Sequence, residues 1–166
     1  PAIPGVEVRI AADGEVLMRG GNIMKGYFGR PDATAEALDP DGWFHSGDIG
    51  EIDDTGKLRI TDRKKDLIVT AGGKNVAPQP IENELKRSPF VDNAVLIGDR
   101  RPFIVALLSP NEEELAKWAA AHDKAGTPIA ELTDDPQLIA AFSRVVEETN
   151  ARLARYEQIK RFKVLP

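Results

Sequence analysis

Three turn signals cut the first half of the chain into short strand-like runs, and they limit its fold more than any other feature. Val6-Glu-Val-Arg-Ile and Glu15-Val-Leu-Met-Arg flank Ala12-Asp13-Gly14, and Ile49 to Asp53 and Lys57 to Thr61 flank Asp54-Thr55-Gly56. Lys65-Asp-Leu-Ile-Val and Lys74-Asn-Val flank Gly72-Gly73. Glycine reverses a chain cheaply because it reaches positive φ without a Cβ clash. Each signal therefore predicts a β-hairpin, and strands joined so closely pair antiparallel. The early pattern is one of short strands with one-sided burial, not a βαβ series.

Beyond Asp62 the composition shifts toward α+β. Pro31-Asp-Ala-Thr-Ala-Glu-Ala-Leu already predicts one short helix, and Pro80-Ile-Glu-Asn-Glu-Leu-Lys predicts another, with Pro80 tolerated near the first turn. Val91 to Ile97 and Phe103 to Leu108 read as buried strands around the turn at Asp99-Arg-Arg-Pro. Asn111 followed by Glu114 caps a helix reaching about Ala121. The acidic Glu112-Glu-Glu run suits that helix N-terminus. Asp135-Pro136 opens the longest helix, whose Leu138, Ile139, Phe142, Val145, Val146, Thr149 and Leu153 share one face. That stripe reads as core. Ile159 to Leu165 predicts a last strand. The expected fold class is α+β: a β-rich segment over 1–61, then an α+β domain over 62–166 with a short antiparallel sheet, a hairpin and flanking helices.

Composition removes several classes of function. At 166 residues, 42% hydrophobic and 30% charged, the chain reads as globular. A net charge of -5 leaves no basic footprint for nucleic acid, and no apolar run approaches a membrane span. Without cysteine there is no disulfide framework, thiolate metal site or cysteine nucleophile. The start at Pro1 and the stop at Pro166 predict a piece cut from a longer chain.

Two polar residues stand out between Gly42 and Glu82. Asp48 and Arg63 each close a strand-like run. An ionised carboxylate accepts only, and its two oxygens match two adjacent sugar hydroxyls. A guanidinium suits sugar and phosphate oxygens. Taken singly, each is better explained by a bland role, a turn or capping aspartate and a solvated arginine in a lysine-rich loop. Asp62 reads as a hinge or a turn residue, and Gly72-Gly73 as a close backbone approach to a ligand or a tight turn. His45 has no partner acid or nucleophile at a recognisable spacing and is read as structural, as is His122. Neither has a metal-binding companion at zinc spacing.

Taken together, Gly14-Glu-Val-Leu-Met-Arg-Gly through Gly26-Tyr-Phe-Gly-Arg-Pro31, Trp43-Phe-His-Ser-Gly-Asp48, Asp62-Arg-Lys-Lys-Asp-Leu67 and Gly72-Gly-Lys-Asn-Val-Ala-Pro78 resemble the adenylate-forming superfamily. Within it they resemble the long-chain fatty-acid–CoA ligases. The resemblance implies a family that activates a carboxylic acid with MgATP to an acyl-adenylate, then rotates its small domain so that CoA attacks. It implies that Asp48 and Arg63 hold the ATP or AMP ribose, that Ile60 lies near the nucleotide, and that Asp62 is the hinge. Gly72 and Gly73 would approach the CoA channel. No catalytic residue is assigned, because the adenylation lysine is expected after Pro166 and neither Lys160 nor Lys163 takes its role.

The implied partners are a fatty acid, ATP with magnesium, CoA and the rest of the chain's own large domain, in the cytoplasm, with peripheral membrane contact open. A piece lacking the family's phosphate loop is expected to be inactive alone. The alternatives are another acid–CoA ligase, a peptide-synthetase adenylation domain, or a non-catalytic α+β docking module.

Overall fold

The computed structural model describes residues 2–166. It divides into two compact units, Pro1–Asp66 and Leu67–Pro166, and each is built on a different principle.

The first unit is a four-stranded antiparallel meander. β1 (Val6–Ile10), β2 (Glu15–Gly20), β3 (Phe44–Ile52) and β4 (Leu58–Arg63) lie in the sheet in chain order. The two predicted hairpins are β1–β2 and β3–β4, with β3 starting earlier, at Phe44, and β4 running on to Arg63. Asp53 tightens the second, its Oδ1 accepting from the N–H groups of Thr55 (2.8 Å) and Lys57 (3.0 Å). Between β2 and β3 sits the helix α1 (Pro31–Ala37), opened by proline. The apolar core here is thin: Val16, Leu17 and Trp43 are buried, and Arg9 and Arg19 stack on the Trp43 ring. Phe28, Ile52, Leu58 and Ile60 stay exposed.

The second unit holds the main core. The Gly72-Gly73 hairpin forms as β5 (Ile68–Val69) and β6 (Asn75–Val76), with positive φ at Gly73 only. A three-stranded sheet follows, ordered β7 (Val91–Ile97), β8 (Ile104–Pro110) and β9 (Ile159–Val164). β7 and β8 bury alternate residues, so they are half-buried strands and not the fully buried ones expected. β9 pairs with β8 in parallel, which the expectation of a short antiparallel sheet did not include.

Helices α2 (Pro78–Leu85), α3 (Glu112–Ala121), α4 (Ile129–Leu132) and α5 (Pro136–Asn150) complete the unit. Asn111 caps α3 by accepting from the Glu114 N–H at 3.1 Å, and Asp135 caps α5. Glu82 ties α2 to β7: its buried carboxylate accepts from the Leu96 N–H at 2.8 Å.

The α5 stripe divides. Leu138, Phe142, Val146 and Thr149 are buried, whereas Ile139 is 38% exposed and Leu153 lies past the helix end. Phe142, with no exposed surface, meets Phe90 edge-on at 6.4 Å between ring centroids. Truncating it leaves a cavity as well as lost transfer energy, so Phe142→Ala should cost about 3–5 kcal/mol in denaturant unfolding. Ile139→Ala should cost below about 1 kcal/mol. Equal losses would place both side chains in one core.

Candidate functional site

The pairing of β3 with β4 decides which side chains meet. From the turn outward, Ile52 faces Leu58, Glu51 faces Arg59 and Gly50 faces Ile60; the register then shifts, and Ile49 faces Asp62 while Asp48 faces Arg63. Thr61 is the extra residue of this bulge, and its Oγ1 donates to the Ile49 carbonyl at 3.3 Å. Without the shift the same progression would set Asp48 against Asp62, two like charges across one pair. With it, Arg63 Nε donates to Asp48 Oδ1 at 2.8 Å, the carboxylate side chain 29% exposed and the guanidinium 61%. Both residues stand in one sheet of the first unit, not in separate halves of the chain.

Beside this pair lies a polar cluster around one buried carboxylate, which the sequence reading missed. Glu15, its side chain 4% exposed, accepts from the Gly47 N–H (3.0 Å) on one oxygen and from Lys64 Nζ (2.9 Å) on the other. His45 Nδ1 lies 3.0 Å from that second oxygen, so the histidine does have an acid partner, thirty positions away. Lys64 also pairs with Asp13 at 2.8 Å. Ser46 Oγ donates to the Val16 carbonyl (2.7 Å) and accepts from the Asp48 N–H (3.0 Å).

The remaining expected site residues are scattered in kind. Ile60 is half exposed on β4, opposite Gly50. Asp62 is buried within β4, and its Oδ1 accepts from the Arg63 N–H at 2.7 Å. Its backbone is held in the sheet. The first backbone outside the sheet is the 3-10 turn Lys64–Asp66, and the compact units divide after Asp66.

Gly72 and Gly73 form the tip of the β5–β6 hairpin in the second unit, where the Gly73 N–H donates to the Thr70 carbonyl at 2.8 Å. The hairpin is moored to the β7–β8 turn through Arg100 N–H to Val69 O (2.8 Å) and Ala71 N–H to Arg101 O (2.9 Å). Gly72 lines a cavity of about 170 Å³ with Lys74, Phe103, Arg155, Tyr156 and Lys160. His122 stacks on Trp118 and its Nδ1 lies 2.8 Å from the Trp118 carbonyl oxygen, a local helix-end contact.

Burial pushes the Glu15 carboxyl up, but Lys64, His45 and the Gly47 N–H outweigh it and hold it below its ordinary 4.5. Lys64 likewise holds Asp13 below 3.8, and the two carboxylates hold Lys64 above 10.5. The depressed carboxyls stabilise the fold above their unfolded values and lose that contribution as pH falls through their folded ones. The raised ammonium contributes below its unfolded value and loses it as pH rises through its folded one. Lys64→Met should therefore flatten the acid limb: its melting temperature should fall less than the wild type's between about pH 6 and about pH 3. Identical acid limbs would remove the cluster from the fold's pH dependence.

Comparison with known proteins fits this layout. Residues 65–166 match the family model of the AMP-binding enzyme C-terminal domain. Over 165 residues, 99% of this chain, it is 45% identical to the long-chain-fatty-acid–CoA ligase FadD15 and 48% identical to the putative fatty-acid–CoA ligase fadD11, both of Mycobacterium tuberculosis. The chain spans 27% and 29% of their lengths, respectively. The crystal structure of ATP-bound MatB from Rhodopseudomonas palustris aligns with a TM-score of 0.67 at 27% identity, covering 99% of this chain and 31% of that one. The chain thus belongs to the AMP-binding, adenylate-forming enzymes and carries their C-terminal domain.

Proposed function

We propose that the chain is the nucleotide- and CoA-handling part of an ATP-dependent long-chain fatty-acid–CoA ligase, an acid–thiol ligase. In this reading the first unit is the end of the large domain and the second is the small domain, and they work with the remainder of the large domain. The observation that carries it is the bulged β3–β4 register, which puts an ionised carboxylate and a guanidinium side by side at a solvent-reachable edge. Arg63 takes one Asp48 oxygen through Nε, and the pair keeps acceptor and donor capacity beyond that contact. Adjacent ribose hydroxyls match the carboxylate, and the guanidinium matches neighbouring sugar or phosphate oxygens. The exposed Ile60 on the same strand offers apolar surface beside them.

Such a clamp does no covalent chemistry. It fixes the nucleotide so that the α-phosphate meets the carboxylate in line, which lowers the barrier by positioning. In this reading magnesium accompanies the ATP phosphates. The basic lining of the cavity beside Gly72 supports CoA as the second ligand, its phosphates meeting Lys74, Arg155 and Lys160. Among the described residues no helix is long and apolar enough to cross a membrane. A cytoplasmic enzyme meeting its fatty acid at a membrane surface fits this reading.

The domain rotation is assigned to the end of β4, with Asp62 securing the strand and Lys64–Asp66 taking up the change. Proline fixes φ and removes an N–H. In the full-length ligase, Lys65→Pro should spare adenylate formation and slow thioester formation. Asp62→Pro should lower the melting temperature and impair both steps. The reverse pattern would put the pivot at Asp62 itself. For the clamp, Asp48→Ala should weaken ATP by about 1.5–3 kcal/mol, read as a raised KM for ATP. An unchanged KM and kcat would remove Asp48 from the site.

A further inference from the structure

We propose that Glu15 is a positioning residue that holds both halves of the Asp48–Arg63 clamp in place, an inference that rests on the nucleotide reading above. A buried carboxylate is costly unless donors surround it. Glu15 has three, drawn from distant parts of the chain: the Gly47 N–H, Lys64 Nζ and His45 Nδ1. Two of the three are chain neighbours of the clamp, since Gly47 precedes Asp48 and Lys64 follows Arg63. One side chain on β2 therefore fixes the backbone entering one clamp residue and the side chain leaving the other.

The backbone at Gly47 explains why such an anchor is needed. Its φ of +71° is left-handed, a conformation that sets the direction of Asp48 and that glycine alone does not enforce. The Gly47 N–H bond to Glu15 holds that turn from one side. Ser46 holds it from the other, joining Val16 O to the Asp48 N–H. Across the strand pair, Lys64 spans Glu15 and Asp13, so the residue after Arg63 is tied to the β1–β2 turn.

The test uses the full-length ligase and four variants: Glu15→Gln, Asp48→Ala, their double variant, and Lys64→Met. Glutamine keeps the shape and can still accept from the Gly47 N–H, but loses the charge that holds Lys64 and His45. Glu15→Gln should raise the KM for ATP about tenfold while the KM values for fatty acid and CoA stay near wild type. Because Glu15 acts through the clamp, the same change on the Asp48→Ala background should add little.

If Glu15→Gln raises all three KM values together, or adds its full factor on top of Asp48→Ala, the role is structural only and the proposal falls. If Asp48→Ala raises the KM for ATP and Glu15→Gln does not, Glu15 loses its role while the clamp stands. An unchanged KM in Asp48→Ala would overturn the clamp reading itself, and this proposal with it. Should Glu15→Gln fail to fold, Lys64→Met decides: an increase confined to the KM for ATP supports the tether, and no increase overturns it.

Discussion

One additional residue in β4 decides which charged side chains meet in the first sheet. Thr61 shifts the β3–β4 register, and through that shift Asp48 meets Arg63 in place of Asp62. The shift has a steric condition. A Cβ on Gly50, beside the bulge, would come within 2.7 Å of the Arg59 carbonyl oxygen and 2.9 Å of Val16 Cγ2. Only glycine lets the strands approach there, and its N–H donates to the Gly14 carbonyl at 3.0 Å. A bulge that looks like a local irregularity thus selects an attractive pair over a repulsive one.

The two units reach order by different means. Leu67–Pro166 is organised by apolar burial, with α2 and α5 against a three-stranded sheet and Phe142, Leu85 and Ile104 sealed from solvent. Pro1–Asp66 buries few large side chains and is organised by directional polar contacts around Glu15. Directional contacts specify geometry sharply. Apolar burial is more tolerant of the exact contacts made. Even there, one buried carboxylate, Glu82, fixes α2 against β7.

Much of this was legible from local chemistry. Asp-Gly and Gly-Gly turns, the caps at Asn111 and Asp135 and the α5 face announce themselves within a few residues, because the forces that set them act over one turn. Asp48 and Arg63 were legible as a candidate pair for the same reason: each follows a recognisable motif. What escaped was non-local. The bulge depends on how two strands align, and the link from Glu15 to His45 and Lys64 spans thirty and forty-nine positions. The parallel pairing of β9 joins segments that the sequence separates by three helices. α4, at four residues, is too short to show a period.

That parallel strand shapes the order in which the protein is made. Ile159 and Val164 of β9 sit buried against β8, so the second unit cannot close its core until the final residues of this stretch leave the ribosome. The antiparallel meander before it pairs each strand with its neighbour in chain order and does not wait for β9. Growth of the nascent chain would then leave the apolar face of α5 waiting for its last strand, and that interval is where a chaperone has most to gain.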